Sequence, residues 1–144
     1  MLICCDTSFL FSLYANDAHT EKALAEVTRF GRALHISVLN QYELENAFRL
    51  AAFRKILSIA NVLNMLADFE SDIATGRLIL ASCNLASVIT EARRLSARHT
   101  VKQGHRAFDI IHMSAALVLR ADLFLSFDER QRKLAKAEGL QVKP

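Results

Sequence analysis

The chain has 144 residues, 52% of them apolar and 23% charged, with a formal net charge of +3. That length and apolar content suit one core, and no low-complexity tract, charge block or Pro/Gly/Ser-rich linker divides the chain, so residues 1–144 are expected to form a single domain. No basic segment precedes the first apolar run and no run is long enough for a bilayer, which argues against a signal peptide and a membrane span and for a soluble, cytoplasmic protein.

In chain order, Leu2–Cys5 is a short apolar run ending in Asp6, the pattern of a strand buried on both faces of a parallel sheet. Phe9–Tyr14 and Glu21–Phe30 read as helices. Leu34–Val38 is a second apolar run, followed by helical patterns over Leu39–Phe53 and Ile56–Ile73, the latter stopped by Gly76. Arg77–Ala81 supplies a third strand and Leu85–Ala97 another helix. Phe108–Leu119 is apolar nearly all round, as a buried helix is. Asp122–Phe127 reads as strand four, Glu129–Glu138 as a charged helix closed by Gly139, and Leu140–Val142 as a last strand. Alternating strands and helices imply right-handed crossovers, hence an α/β fold: a three-layer α/β/α sandwich around a parallel sheet.

Cys4, Cys5 and Cys83 are odd in number, lack C-x-x-C spacing and lie in apolar segments, so they read as reduced core residues. His19, His35, His99 and His105 form no zinc spacing. Arg93, Arg94, Arg98, Lys102 and Arg106 form a basic cluster that suits either a phosphate backbone or a solvated helix face.

Open parallel sheets bind ligands at the carboxyl ends of their strands, and two of the strands end in acids, Asp6 and Asp128. Two helical acids stand on apolar stripes: Glu43 with Leu39, Ala47 and Leu50, and Asp109 with Met113 and Ala116. A carboxylate there is costly unless it is protonated or meets a cation. Four carboxylates without Cys or several His partners favour a hard ion, Mg²⁺ or Mn²⁺, and no D-x-D-x-D-G loop suggests calcium. Such a site suits phosphodiester hydrolysis. Each acid also admits a structural role: Asp6 and Asp128 as helix caps, Asp109 at the positive end of a helix dipole, Glu43 on a helix surface. Glu45 competes with Glu43, but two residues rotate it about 200° around the helix, so both cannot face one metal.

Asp6-Thr7-Ser8-Phe9-Leu10 after the first strand, Ser37 leading to Glu43, Arg106-Ala107-Phe108-Asp109-Ile110-Ile111-His112, and Phe124-Leu125-Ser126-Phe127-Asp128-Glu129-Arg130 resemble PIN domains of the VapC toxin type. The resemblance covers nearly the whole chain. It implies a sheet ordered 3-2-1-4-5, a Mg²⁺ or Mn²⁺ centre and endonucleolytic cleavage of RNA leaving a 5′-phosphate. Many relatives are toxins encoded beside an antitoxin protein whose C-terminal segment blocks the site. Carried over by position, Asp6, Glu43, Asp109 and Asp128 are the catalytic, metal-holding acids, and Thr7, Ser8 and Ser126 the hydroxyls near the metal.

Arg106, three residues before Asp109, could hold a phosphate or pair with a site acid, or be a surface arginine. His112, nearly one turn after Asp109, reads as a hydrogen-bonded core histidine rather than a ligand or base. Ile56–Phe69 carries more apolar surface than one helix needs, which suggests an interface with a second copy in a homodimer or with an antitoxin segment. Competing functions are a PIN nuclease of RNA processing without an antitoxin, an inactive RNA-binding module, and a phosphatase with Asp6 as nucleophile. The last is disfavoured because Ser8 stands where a second aspartate is usual.

Overall fold

The computed structural model describes residues 1–144. Five strands, β1 (Ile3–Cys5), β2 (Leu34–Ile36), β3 (Leu78–Leu80), β4 (Leu123–Leu125) and β5 (Gln141–Lys143), form one sheet in the order β3-β2-β1-β4-β5. Every pairing is parallel, with Ile3 opposite Leu34 on one side and opposite Leu123 on the other. The α/β sandwich and the strand order implied by the resemblance are both present.

Side-chain alternation assigns the strands to two cores. Ile3, Cys5, Leu123 and Leu125 face a core with Phe9, Leu10, Leu44, Phe48, Met65 and Phe69. These come from α1 (Thr7–Tyr14), α3 (Val38–Phe53) and α4 (Ile59–Ala74), with α2 (Thr20–Phe30) packed outside them. Cys4 and Phe124 point the other way, to Leu95, Ile110, Met113 and Leu134 of α5 (Leu85–Leu95), α7 (Ala107–Val118) and α8 (Glu129–Ala137). Burial pushes the Cys4 thiol up to about 12, consistent with an inert core thiol. No helix is long and apolar enough to cross a membrane.

Several boundaries differ from the sequence reading. Helix α1 starts at Thr7, not Phe9, because Asp6 caps it. The expected helix start at Ile56 moves to Ile59: Lys55 takes a left-handed φ of 58°, and the Ser58 hydroxyl caps the new start. Helix α5 does not stop at Ala97 but runs through a π turn, Ser96–Thr100, into α6 (Val101–Gln103). Strand β5 lies one residue later than Leu140–Val142, at the register set by pairing with β4.

The apolar stripe of α3 also needs correction. Its buried residues are Asn40, Leu44, Phe48 and Ala51, whereas Leu50 is 38% exposed. Glu43 therefore lies on the flank of the buried stripe, where it reaches the sheet rim, and not among core neighbours. In the segment Ile56–Phe69, Val62, Met65 and Phe69 face the core, while Ile56, Ile59 and Leu63 are 71%, 73% and 61% exposed.

Candidate active site

The strands of a parallel sheet end together, so the residues after β1 and β4 meet on one rim. Asp6, directly after β1, is buried, and its Oδ1 accepts from the Phe9 backbone N–H at 2.8 Å, capping α1. Its Oδ2 accepts from the hydroxyl of Ser126, which follows β4 and is fully buried. The same Ser126 Oγ accepts the Asp128 N–H at 3.0 Å. Asp128 in turn caps α8, its Oδ1 accepting from Arg130 and Gln131 N–H at 2.8 and 3.0 Å. The structural roles considered for Asp6 and Asp128 are thus real, and they fix the two acids at neighbouring strand ends.

The helices on either face bring the remaining two. Asp109 stands in the first turn of α7, half-buried, and the Gln131 side chain donates to its backbone carbonyl at 3.1 Å, tying α7 to α8. Glu43, on α3, lies 3.2 Å from His112 Nε2. His112 is 2% exposed, and its Nε2 is also 3.0 Å from Thr7 Oγ1. Both neighbours of Nε2 are oxygens, so Nε2 carries a proton directed toward Glu43 and Thr7, while Nδ1 is buried without a partner. His112 is the hydrogen-bonded core histidine expected, but its partners belong to the rim.

Electrostatics show that the acids sense one another. Burial, with a smaller push from Asp109, raises Asp6 to about 6, against the Ser126 and Phe9 hydrogen bonds and His112, which pull it down. Asp109 is also raised, by burial first and then by Asp128 and Glu43, although Arg106 draws it down. Glu43 ends lowered, because the His112 hydrogen bond and charge and the Thr7 hydroxyl outweigh its burial. No Lys or Arg forms an ion pair with Asp6, Glu43, Asp109 or Asp128.

No three His, Cys, Asp or Glu side chains stand close enough to grip an ion directly. The donor set nonetheless fits a hard divalent cation. All its donors are carboxylate or hydroxyl oxygens, the acids repel one another with no Lys or Arg paired to them, and Mg²⁺ keeps several waters and needs only one or two carboxylates.

Thr7 is buried and Ser8 exposed at the mouth of a cavity of about 490 Å³, which Glu43, Phe127 and Asp128 also line. Arg106, the residue before α7, is exposed, near enough to Asp109 to influence it. The basic cluster is partly spent on structure: Arg94 binds Glu91 and Glu138 at 2.5 and 2.6 Å, and Arg98 lies 3.6 Å from Glu138.

The sequence reading passed over Asn40. Its amide carbonyl accepts from the Ser37 backbone N–H and hydroxyl, and its Nδ2 donates to Thr7 Oγ1 at 3.3 Å, so it links the start of α3 to the site. The Ser37-x-x-Asn40 spacing, a variant of the capping box, is the signal that marks it.

No curated protein matches the sequence. Among solved structures, the chain is similar to one described as "Crystal Structure of FitAcB from Neisseria gonorrhoeae", with a TM-score of 0.67 and 16% identity over 99% of this chain and 97% of that one. At that identity the likeness concerns the fold. The family model for the PIN domain matches residues 3–137, nearly the whole sheet and all its helices, and the chain therefore belongs to the PIN domain family.

Proposed function

We propose that the chain is a Mg²⁺- or Mn²⁺-dependent endoribonuclease, the toxin of a toxin–antitoxin pair of the VapC type. PIN domains are generally nucleases, and the observation that carries the reading here is the rim itself. A buried Asp6 raised to about 6 is pushed up by Asp109, which in turn is pushed up by Asp128 and Glu43, and no Lys or Arg forms an ion pair with any of the four.

Asp6 and Asp109 would hold the cation, with Glu43 and Asp128 completing the acidic surround. When bound, such an ion supplies charge for the phosphoryl oxygens and acidifies a water at neutral pH. The protein's own groups fix geometry. Ser126 and the Phe9 N–H hold both Asp6 oxygens, His112 and Thr7 hold Glu43, and the α8 N-terminus holds Asp128. Arg106, exposed beside Asp109, is suited to a substrate phosphate.

The resemblance to VapC toxins supports an antitoxin partner. The outward Ile56, Ile59 and Leu63, beside Phe53 at 83% exposure, offer the apolar surface that an antitoxin segment or a second copy in a homodimer would cover. An antitoxin gene immediately alongside would separate this reading from that of an RNA-processing nuclease.

The test is cleavage of a mixed RNA pool by purified protein in Mg²⁺ or Mn²⁺ against EDTA, beside Asp6→Ala and Asp6→Asn. Metal-dependent cleavage lost in both variants supports the reading. Folded wild-type protein free of inhibitor that cuts nothing with either metal overturns it in favour of an RNA-binding module.

A further inference from the structure

The cavity of about 490 Å³ beside the acids has a wall that the chemistry of the acids leaves unexplained. His19 stacks on Phe127 with ring centroids 4.3 Å apart and planes 12° apart. Phe127 in turn stacks on Phe9 at 5.4 Å and 19°, and Phe9 is fully buried. Three rings therefore form a column rooted in the core, whose outermost ring is exposed and lines the cavity. The His19 ring makes no hydrogen bond.

The loop that carries His19 is braced from below. Asp17 Oδ1 accepts the His19 N–H at 2.8 Å, Ser12 donates to Asp17 Oδ2 at 2.9 Å, and the Asp17 N–H donates to Thr20 Oγ1 at 3.0 Å. Thr20 Oγ1 also donates to the Ala15 carbonyl at 2.7 Å. None of these bonds uses the imidazole, so the ring is preorganised without being needed to hold the loop.

The charge of the lining narrows the ligand. Asp17, Glu43 and Asp128 contribute three carboxylates and no Lys or Arg lines the cavity, which disfavours a phosphate there. An uncharged planar group suits it, with amino hydrogens to give the carboxylates and a π-face to lay on the imidazole. The volume is in the range of small-molecule sites.

We propose that this cavity receives one unpaired, amino-bearing nucleobase of the RNA, stacked on the exposed face of His19. This rests on the nuclease reading above and deepens it: the site selects single-stranded RNA at one nucleotide beside the cut, because a base inside a helix cannot reach the column. His19 is then a specificity-determining residue.

The test titrates the full-length protein, in EDTA and again in Ca²⁺, against RNA hexanucleotides carrying 2-aminopurine at one position in turn. Saturable quenching at one position is expected, with affinity falling roughly tenfold in His19→Ala, as loss of one stacked base predicts. His19→Phe should restore it, since a purely structural histidine would not be replaced by any flat ring. In cleavage assays the His19→Ala loss should appear in KM more than in kcat. Equal binding by wild type and His19→Ala, failure of His19→Phe to restore binding, or no saturable quenching in either buffer would each overturn the proposal. His19-dependent binding by a protein that cuts nothing would support the cavity while removing the nuclease reading; cleavage with an unchanged KM in His19→Ala would do the reverse.

Discussion

His112 on α7 and Glu43 on α3 approach to 3.2 Å across the rim, from helices on opposite faces of the sheet. His112→Ala is predicted to free Glu43 and Thr7 together, lowering cleavage about 10- to 100-fold, the usual cost of losing a group that orients metal-site acids. His112→Gln, whose Nε2 can reach the same oxygens, should recover part of that. Rates corrected for the folded fraction by circular dichroism decide it: equal rates in wild type and His112→Ala would reduce His112 to packing.

Asp6 carries a pH prediction. Its folded value, about 6, exceeds the ordinary 3.8, so folding favours its proton. The stabilisation from that proton is full below the ordinary aspartate range and is lost as pH rises through about 6. In metal-free protein, ionised Asp6 costs on the order of 3 kcal/mol at pH 8, about 1 kcal/mol of which appears between pH 5 and 8. Asp6→Asn should therefore gain stability relative to wild type as pH rises over that range. Urea denaturation of both proteins in EDTA at the two pH values is the check, and a constant difference would refute it.

A bound cation should cancel that cost. Addition of Mg²⁺ or Mn²⁺ at 100 times its dissociation constant is predicted to stabilise wild type by ~2.7 kcal/mol. For a chain of this size that raises Tm by roughly 5–10 °C. Asp6→Asn and Asp109→Asn should show little of the shift. A calorimetric scan in which wild type does not respond to either metal would count against the centre independently of any RNA.

Glu138 offers a test away from the rim. Its carboxylate binds Arg94 at 2.6 Å and the buried His99 at 2.7 Å, tying α8's end to α5 and the π turn. Burial opposes its charge, but the hydrogen bonds from Arg94 and His99 win and hold it below the usual glutamate range. Its contribution is therefore present above the ordinary glutamate value and is lost as pH falls through the lowered one. Glu138→Ala should cost about 1–3 kcal/mol at neutral pH by leaving His99 unpaired, with cleavage of the folded fraction little changed. A Tm equal to wild type would contradict this.

Much of this was legible in the sequence because the chemistry is written locally. Buried parallel strands need unbroken apolar runs, so Ile3–Cys5 and Leu123–Leu125 stand out, and the acids after them are placed by topology alone. Glu43 was harder. A helical stripe read without caps slips by a residue, and only the Ser37–Asn40 capping box fixes that Leu44 and Phe48, not Ala47 and Leu50, enter the core. The π turn at Ser96–Thr100 and the left-handed Lys55 depend on tertiary packing and leave no local signature. Likewise the ring column joins His19 to Phe127 across more than a hundred residues, a separation no periodicity spans.

The four acids are drawn from residues 6 to 128, and Asp6 sits at the end of the central strand, whose second edge is paired only by β4. A chain still emerging from the ribosome has β1 and Glu43 but neither Ser126 to hold Asp6 nor Asp128 beside it. No fragment that stops before β4 can bring the four acids to one rim. Under the nuclease reading, a nascent chain that has not yet folded β4 and the Ser126–Asp128 segment would cut no RNA, so cleavage would await the pairing of β4 with β1.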